Sequence, residues 1–359
     1  MPASWIAAWG DYVEIGTNAY AQTFHNAGGK HALAYINANY WFTSPSYTAP
    51  GNYVESAFAH TSGGARISRP QGNGTEYYLN PNSATSQSGY AGIAAAVRSG
   101  GGYDYIYADG VSSNLAISLY RFNGTPVEIT TDAQYVGGMK QLIADGTLPT
   151  FVNGYMNGSP VQEEEYVGAS NIAGIFGESC FTTYTGVYTG TTWTNMANAL
   201  LYTTGQHYPA ICGGRGALAD NRALRIYWLA SWWLTYDPAY SIALEIMSSD
   251  QNPVYVFAEE TIVPQNPLQT ASSITSLQVG GGAYARQFAS CYRNRSWWGA
   301  CAAIVNPSAS ATVPMPALAS AYHHSLALDT ANLYAGGQVS LSSSVPSSLG
   351  PGQAVVLFP

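Results

Sequence analysis

The sequence predicts a (β/α)8 TIM barrel followed by a small C-terminal antiparallel β domain, with the barrel at residues 1–265 and a β-sandwich-like domain at 266–359. Three observations carry that expectation. Short apolar runs alternate with helical periods about eight times over the first two thirds of the chain, the pattern of parallel βα units. Several of those runs end in a polar residue followed by glycine, as in Asp109-Gly110 and Asn153-Gly154. After about Pro264 the helical period stops, and short alternating or apolar runs punctuated by Gly, Pro and Ser take over.

Taken in order, Ala3–Ala8 (ASWIAA) reads as a first strand, with Trp9 and Asp11 at its end. A helix is expected around Thr17–Ala27. His31–Tyr40 (HALAYINANY) is a second strand that carries Tyr35 and Asn37. Thr43–Tyr53 is a long loop. Ser56–His60 (SAFAH) is read as the third strand, and Ala65–Arg69 as a hairpin return after Gly63 and Gly64. A helix over Ser88–Ser99 ends at the triple glycine 100–102, which feeds the strand Tyr103–Ala108. That glycine run precedes a strand and no Lys-Ser/Thr follows it, so it is not a phosphate loop.

Asp109 stops that strand, and the turn-rich GVSSN follows. Asp is also a favoured helix N-cap, so capping is the competing reading. Asp132–Asp145 is a helix closed by Gly146, and Thr150–Val152 starts a strand ending at Asn153, Gly154 and Tyr155. The acidic run Glu163–Glu165 is read as a solvated helix start. Ile172–Phe176 ends in Gly177, and Glu178 follows at once. Glu is a weak N-cap, so capping explains it less well than it explains Asp109. Helices are then expected at Trp193–Thr204 and Asn221–Thr235, strands at Tyr208–Cys212 and Ser241–Ile246. Glu259 and Glu260 lie past the last of these, either at the rim or in a solvated loop.

Composition narrows the class. Charged residues are 9% of the 359, against about 25% in ordinary proteins. With 12 Lys and Arg and a net charge of −8, a nucleic-acid surface is not expected. Few native ion pairs also mean little to lose when carboxylates protonate, which suits secretion into an acidic medium; compositional drift in an extracellular protein accounts for it equally. The 28 Tyr and 9 Trp suit sugar stacking or protein interfaces. Four cysteines with no CxxC spacing point to disulfides in an oxidising compartment. Cys291 and Cys301 flank a hairpin and are expected to pair; Cys180–Cys212 is the second expected bridge. No apolar run is long enough for a membrane span. No signal peptide is visible, which fits a mature start. No His-x-His or HExxH spacing occurs, so neither metal nor cofactor is implied.

Two strand-end carboxylates, Asp109 and Glu178, are 69 positions apart (178 − 109), about two βα units. Paired carboxylates on one cleft are what glycoside hydrolysis needs: one protonates the leaving oxygen, the other attacks or activates water. Trp9, Asp11, Tyr35, Asn37, Asn153 and Tyr155 are candidates to line that cleft.

The stretches YDYIYADG (103–110), TFVNG (150–154) and GIFGESCF (174–181) resemble three successive strand ends of glycoside hydrolase family 114, the endo-α-1,4-polygalactosaminidase type. SAFAHTSGGARISR, YYLNPNS and the C-terminal GAYARQF and AAIVNPS add to the likeness, which extends over nearly the whole chain. The start of the chain lacks a family signature. The resemblance implies a secreted, endo-acting and retaining glycosidase on a polysaccharide or oligosaccharide. In it Asp109 and Glu178 match the catalytic pair and Asn153 a substrate-contacting position. Two further readings compete. One is an exo-acting α-galactosidase-like enzyme, whose nucleophile strand YDYIYAD also resembles. The other is a catalytically silent carbohydrate-binding or surface protein.

Overall fold

A computed structural model describes residues 2–359 apart from 44–52, 73, 113, 155–162, 184, 215–220, 246–255, 294–295, 319–320 and 332. The chain divides into two compact units, Met1–Tyr155 with Gln162–Phe176, and Met156–Val161 with Gly177–Pro359.

The first unit opens with helix α1 (Ala3–Trp9), where a strand was expected. Half of ASWIAA is alanine, the best helix former, and Pro2 sits at the N-cap, so local propensity wins over the apolar run. The first strand is instead β1 (Tyr12–Glu14). Helix α2 (Asn18–Asn26) is capped by the Thr17 hydroxyl and leads to β2 (His31–Asn37). Next come β3 (Tyr40–Phe42), β4 (Ser68–Gln71) and β5 (Gly74–Tyr78), which form a separate antiparallel sheet in the order β3-β5-β4. The expected third strand, Ser56–His60, is not one. Glu55–Ala57 is a 3-10 turn, and Phe58 and His60 make isolated bridges to Leu79 and Arg66. Its backbone is satisfied within this excursion, through Ala59 N to Tyr78 O and Ile67 N to Ala59 O.

Helix α3 (Ala84–Ser99), capped by Ser83, precedes β6 (Tyr105–Asp109). Asp109 is the last residue of that strand and caps nothing; the cap of the following short helix α4 (Leu115–Ser118) is Asn114, which accepts from Ile117 N. Helix α5 (Asp132–Ala144), β7 (Thr150–Gly154) and β8 (Ile172–Gly177) complete the run. The acidic residues 163–165 fall in a 3-10 turn, not a helix start.

The second unit holds α6 (Gly190–Gly205), β9 (Ala210–Gly214), α7 (Arg222–Thr235) and β10 (Ser241–Glu245). Its antiparallel sheet uses β11 (Ile262–Pro267), β12 (Tyr284–Arg293), β13 (Ser296–Asn306), β15 (His324–Leu328), β16 (Val339–Ser342) and β18 (Gln353–Phe358). The order is β11-β12-β13-β18-β15-β16; the short strands β14 (Val313–Pro314) and β17 (Ser348–Leu349) pair with each other. Helix α7 packs on β12, β13 and β18, with Trp233 edge-on to Phe288 at 6.1 Å. Both expected disulfides are present: Cys180–Cys212 and Cys291–Cys301, with Cα separations of 5.2 and 6.0 Å.

The remaining strands make a seven-stranded parallel sheet, β1-β2-β6-β7-β8-β9-β10, consistent with a (β/α) barrel; an eighth strand is not seen among the described residues. No described helix is long and apolar enough to cross a membrane.

Candidate active site

Register fixes the site before any side chain is considered. β2 and β6 run parallel with Tyr35 opposite Tyr107 and Asn37 opposite Asp109, and β6 runs parallel to β7 with Ala108 opposite Val152. Side chains alternate along a strand, so Tyr35 and Asn37, Tyr107 and Asp109, Phe151 and Asn153 all take one face. The alternate residues Ala34, Ile36, Ile106, Ala108 and Val152 are buried apolar groups on the other.

On the first face Asp109 is held by its neighbours on both sides. The Tyr35 hydroxyl donates to Asp109 Oδ2 at 2.6 Å and lies 2.9 Å from Asn37 Oδ1. Asn153 Nδ2 donates to Asp109 Oδ1 at 2.9 Å and also reaches the Tyr107 hydroxyl. The Gly110 N–H donates to Oδ1 at 2.8 Å. Burial raises the Tyr35 pKa well above the ordinary phenol value, and the Asp109 charge raises it further, so the phenol keeps its proton.

The turn after Asp109 is tied down as firmly. Gly110 has φ +76°, and a Cβ there would meet Asn39 Oδ1 at 2.2 Å. Tyr135 donates to Gly110 O at 3.0 Å and accepts from Ser112 N. The Tyr166 hydroxyl donates to Ser112 O at 2.7 Å.

Of the residues expected at the site, the structure therefore brings together Asp109, Tyr35, Asn37 and Asn153. Asp11 does not join them. It precedes β1, at the end of the sheet where His31 pairs with Tyr12, and forms an exposed ion pair with Lys30 at 2.8 Å. Trp9 ends α1 instead of a strand. Tyr155 lies outside the described residues. Glu178 directly follows β8 and is half-buried. Glu259 is not in a solvated loop: it is 1% exposed, and Arg225, itself fully buried, donates from Nε to its Oε1 at 2.8 Å.

Sequence reading missed Tyr40 and Glu76, which feel the charge of Asp109, and Arg69, which forms an ion pair with Glu76. The Tyr40 pKa is raised by burial and then by the charges of Asp109 and Glu76. A signal was available. A hairpin turning at Gly72 sets Gln71 opposite Gly74, which puts Arg69 opposite Glu76.

No protein-family model matches the sequence, and no curated protein matches it. Among solved structures, the glycoside hydrolase domain of PelA from Pseudomonas aeruginosa aligns at 12% identity over 67% of this chain and 87% of that one, with a TM-score of 0.45. Aspergillus fumigatus Ega3 in complex with galactosamine aligns at 11% identity over 66% and 84%, with a TM-score of 0.44. A Geobacillus stearothermophilus α-galactosidase in complex with raffinose aligns at 11% identity over 99% and 52%, with a TM-score of 0.42.

Proposed function

We propose that the chain is a secreted glycoside hydrolase, probing an oligosaccharide or polysaccharide chain with Asp109 and Glu178 as its carboxylate pair. The observation that carries this reading is the seating of Asp109: a carboxylate at the C-terminal end of a parallel strand, gripped by Tyr35 from one neighbouring strand and Asn153 from the other. Strand C-termini are where parallel α/β folds place their chemistry. The two disulfides support an oxidising destination. The seven strands are read as a barrel of the (β/α)8 type spanning roughly residues 1–265.

Tyr35, Gly110 and Asn153 all donate to the Asp109 carboxyl, so the site receives it as an acceptor fixed in one orientation. That suits the group that attacks the anomeric carbon. Glu178 then protonates the departing oxygen and afterwards takes a proton from the incoming water, which gives retention through a covalent glycosyl intermediate. Asn153 and Tyr35 supply orientation. Endo action on a polymer is the mode favoured here.

The reading is tested by screening exopolysaccharides, including galactosaminoglycans and galactans, for chain shortening. On a polymer that is cut, Asp109→Asn and Glu178→Gln should each lower turnover by at least ~10²-fold, with circular dichroism unchanged. Azide added to an Asp109→Gly variant should restore turnover and yield a glycosyl azide. Near-wild-type turnover in either carboxamide variant would falsify the assignment.

A further inference from the structure

The bridge Cys180–Cys212 closes two residues beyond Glu178. Glu178 opens a turn that runs to Phe181, outside any helix or strand. The ties of that turn converge on Cys180 and Phe181. The Cys180 N–H donates to Gly213 O at 2.7 Å, and its sulfur joins that of Cys212 on β9 across a Cα separation of 5.2 Å. The Phe181 N–H donates to Met196 Sδ on α6 at 3.4 Å, and Phe181 O accepts from Tyr188 N at 2.9 Å. Cys180, Phe181, Met196 and Cys212 are all fully buried. Phe181 has φ +61°, left-handed backbone that a bulky L-residue keeps only where its surroundings over-determine it.

The two bridges of the chain restrain different things. Cys291 and Cys301 lie on β12 and β13, paired strands whose ladder already fixes their separation. Cys180 lies on a turn, and its bridge ties that turn to β9 two residues before the strand ends at Gly214. Two residues of chain reach about 7 Å at full extension. While the bridge is closed, Glu178 therefore stays close to the C-terminal end of β9.

We propose that the Cys180–Cys212 disulfide is a positioning element of the active site, holding the turn of Glu178 against the end of β9 so that its carboxyl is set to protonate the departing oxygen. The inference rests on the reading of Glu178 as the acid/base group. Opening the bridge leaves the carboxyl in the protein but loosens its place. Proton donation depends on that place: a displacement of about 1 Å costs up to ~10²-fold in rate. A leaving group that departs as a stable anion, such as dinitrophenolate, needs no proton, so kcat/KM on an aryl glycoside of that kind is insensitive to where Glu178 sits.

The experiment opens the bridge with Cys180→Ser/Cys212→Ser and uses Cys291→Ser/Cys301→Ser as the control, with folding checked by circular dichroism. Amide hydrogen exchange at positions 180 and 181 should be at least ~10-fold faster in the first variant than in the wild type, and unchanged in the control. On the polymer that the wild type cuts, kcat/KM of the first variant should fall at least ~10-fold. On a dinitrophenyl glycoside of the same sugar it should stay within ~3-fold. Unchanged exchange in the folded variant, or equal losses on the two substrates, overturns the proposal. Glu178→Gln, run alongside, separates the role of the bridge from that of the carboxyl. Full turnover in Glu178→Gln removes the acid/base assignment itself. A polymer-selective loss in Glu178→Gln that the bridge variant does not share overturns the positioning role alone. If the serine pair does not fold, Cys180→Ala/Cys212→Val, which buries no unpaired hydroxyl, is read in the same way.

Discussion

On β2, β6 and β7 the face that bears Asp109 carries tyrosines and asparagines, and their polar atoms bond to one another. In the C-terminal sheet the corresponding layer is Ala285, Ala302, Ile304, Val355 and Leu357, an apolar cluster whose side chains carry no polar atoms. The buried polar exceptions there serve as anchors: Asn306 Nδ2 donates to three backbone carbonyls, and Arg286 Nη1 donates to Leu234 O and Tyr236 O, near the C-terminus of α7. Buried polar groups must be satisfied. In the second region Asn306 and Arg286 are satisfied by backbone, which ties down loops and a helix end. In the first, polar side chains are satisfied by one another, around a carboxylate. Side chains that bond mainly to side chains set the Asp109 face apart from that sheet.

The two regions are also held in different ways, and removing each restraint sharpens the contrast. The largest expected loss of stability is in the second unit. By chain-entropy reasoning, opening Cys180–Cys212, whose ends are 32 positions apart, costs about 3–4 kcal/mol, and opening Cys291–Cys301, 10 positions apart, about 2.5–3. Denaturant melts of Cys180→Ser/Cys212→Ser and Cys291→Ser/Cys301→Ser double variants should rank in that order. Equal or reversed losses would show that loop length is not what these bridges act through.

In the first unit the restraint is conformational. Gly110→Ala meets both a left-handed backbone, which costs an L-residue about 1–2 kcal/mol, and the Asn39 side chain. The Gly110 N–H that bonds Asp109 should be displaced with it. Turnover on a confirmed substrate should therefore fall more steeply than the melting temperature. A variant that melts early and retains full turnover would show that the turn holds the fold and leaves Asp109 in place.

How much of this was legible in the sequence follows the same division. Strand-end grammar exposed Asp109 and Asn153, because a strand, a polar residue and a glycine are adjacent in the chain, and Asn37, because it stands towards the end of an apolar strand. The cysteine pairings were legible for a similar reason, since Cys291 and Cys301 flank one hairpin. Ala3–Ala8 misled because a short apolar run with three alanines has no period to separate helix from strand. Ser56–His60 misled because its partners, Leu79 and Arg66, lie in a local excursion that strand counting treats as part of the main sheet. Glu259 was illegible because its partner Arg225 lies 34 residues earlier, on a helix that reads as strongly apolar. Glu76 needed hairpin register, which a reading for strand ends does not consult.

The smallest effect concerns the braces on that excursion, where charge replaces packing. Both His60 ring nitrogens face carboxylates: Nδ1 lies 2.8 Å from Glu128 and Nε2 2.9 Å from Glu55, which Arg66 also engages. Only an imidazolium has two N–H groups to give. The hydrogen bonds to Glu55 and then Glu128 raise the His60 pKa above 6.5, so its contribution is complete below 6.5 and is lost as pH rises through the raised value. The bonds from Arg66 and then His60 lower Glu55 from 4.5 to about 2, so its contribution is complete above 4.5 and fades as pH falls towards 2. The two windows overlap between 4.5 and 6.5. Glu55 is 62% exposed, so solvent screening keeps the effect small. Hydrogen exchange at the His60 and Ile67 amides should be faster in His60→Gln than in the wild type within that window, and the difference should shrink steadily towards pH 9. A difference that is constant with pH would assign the effect of the substitution to packing and remove charge from the account.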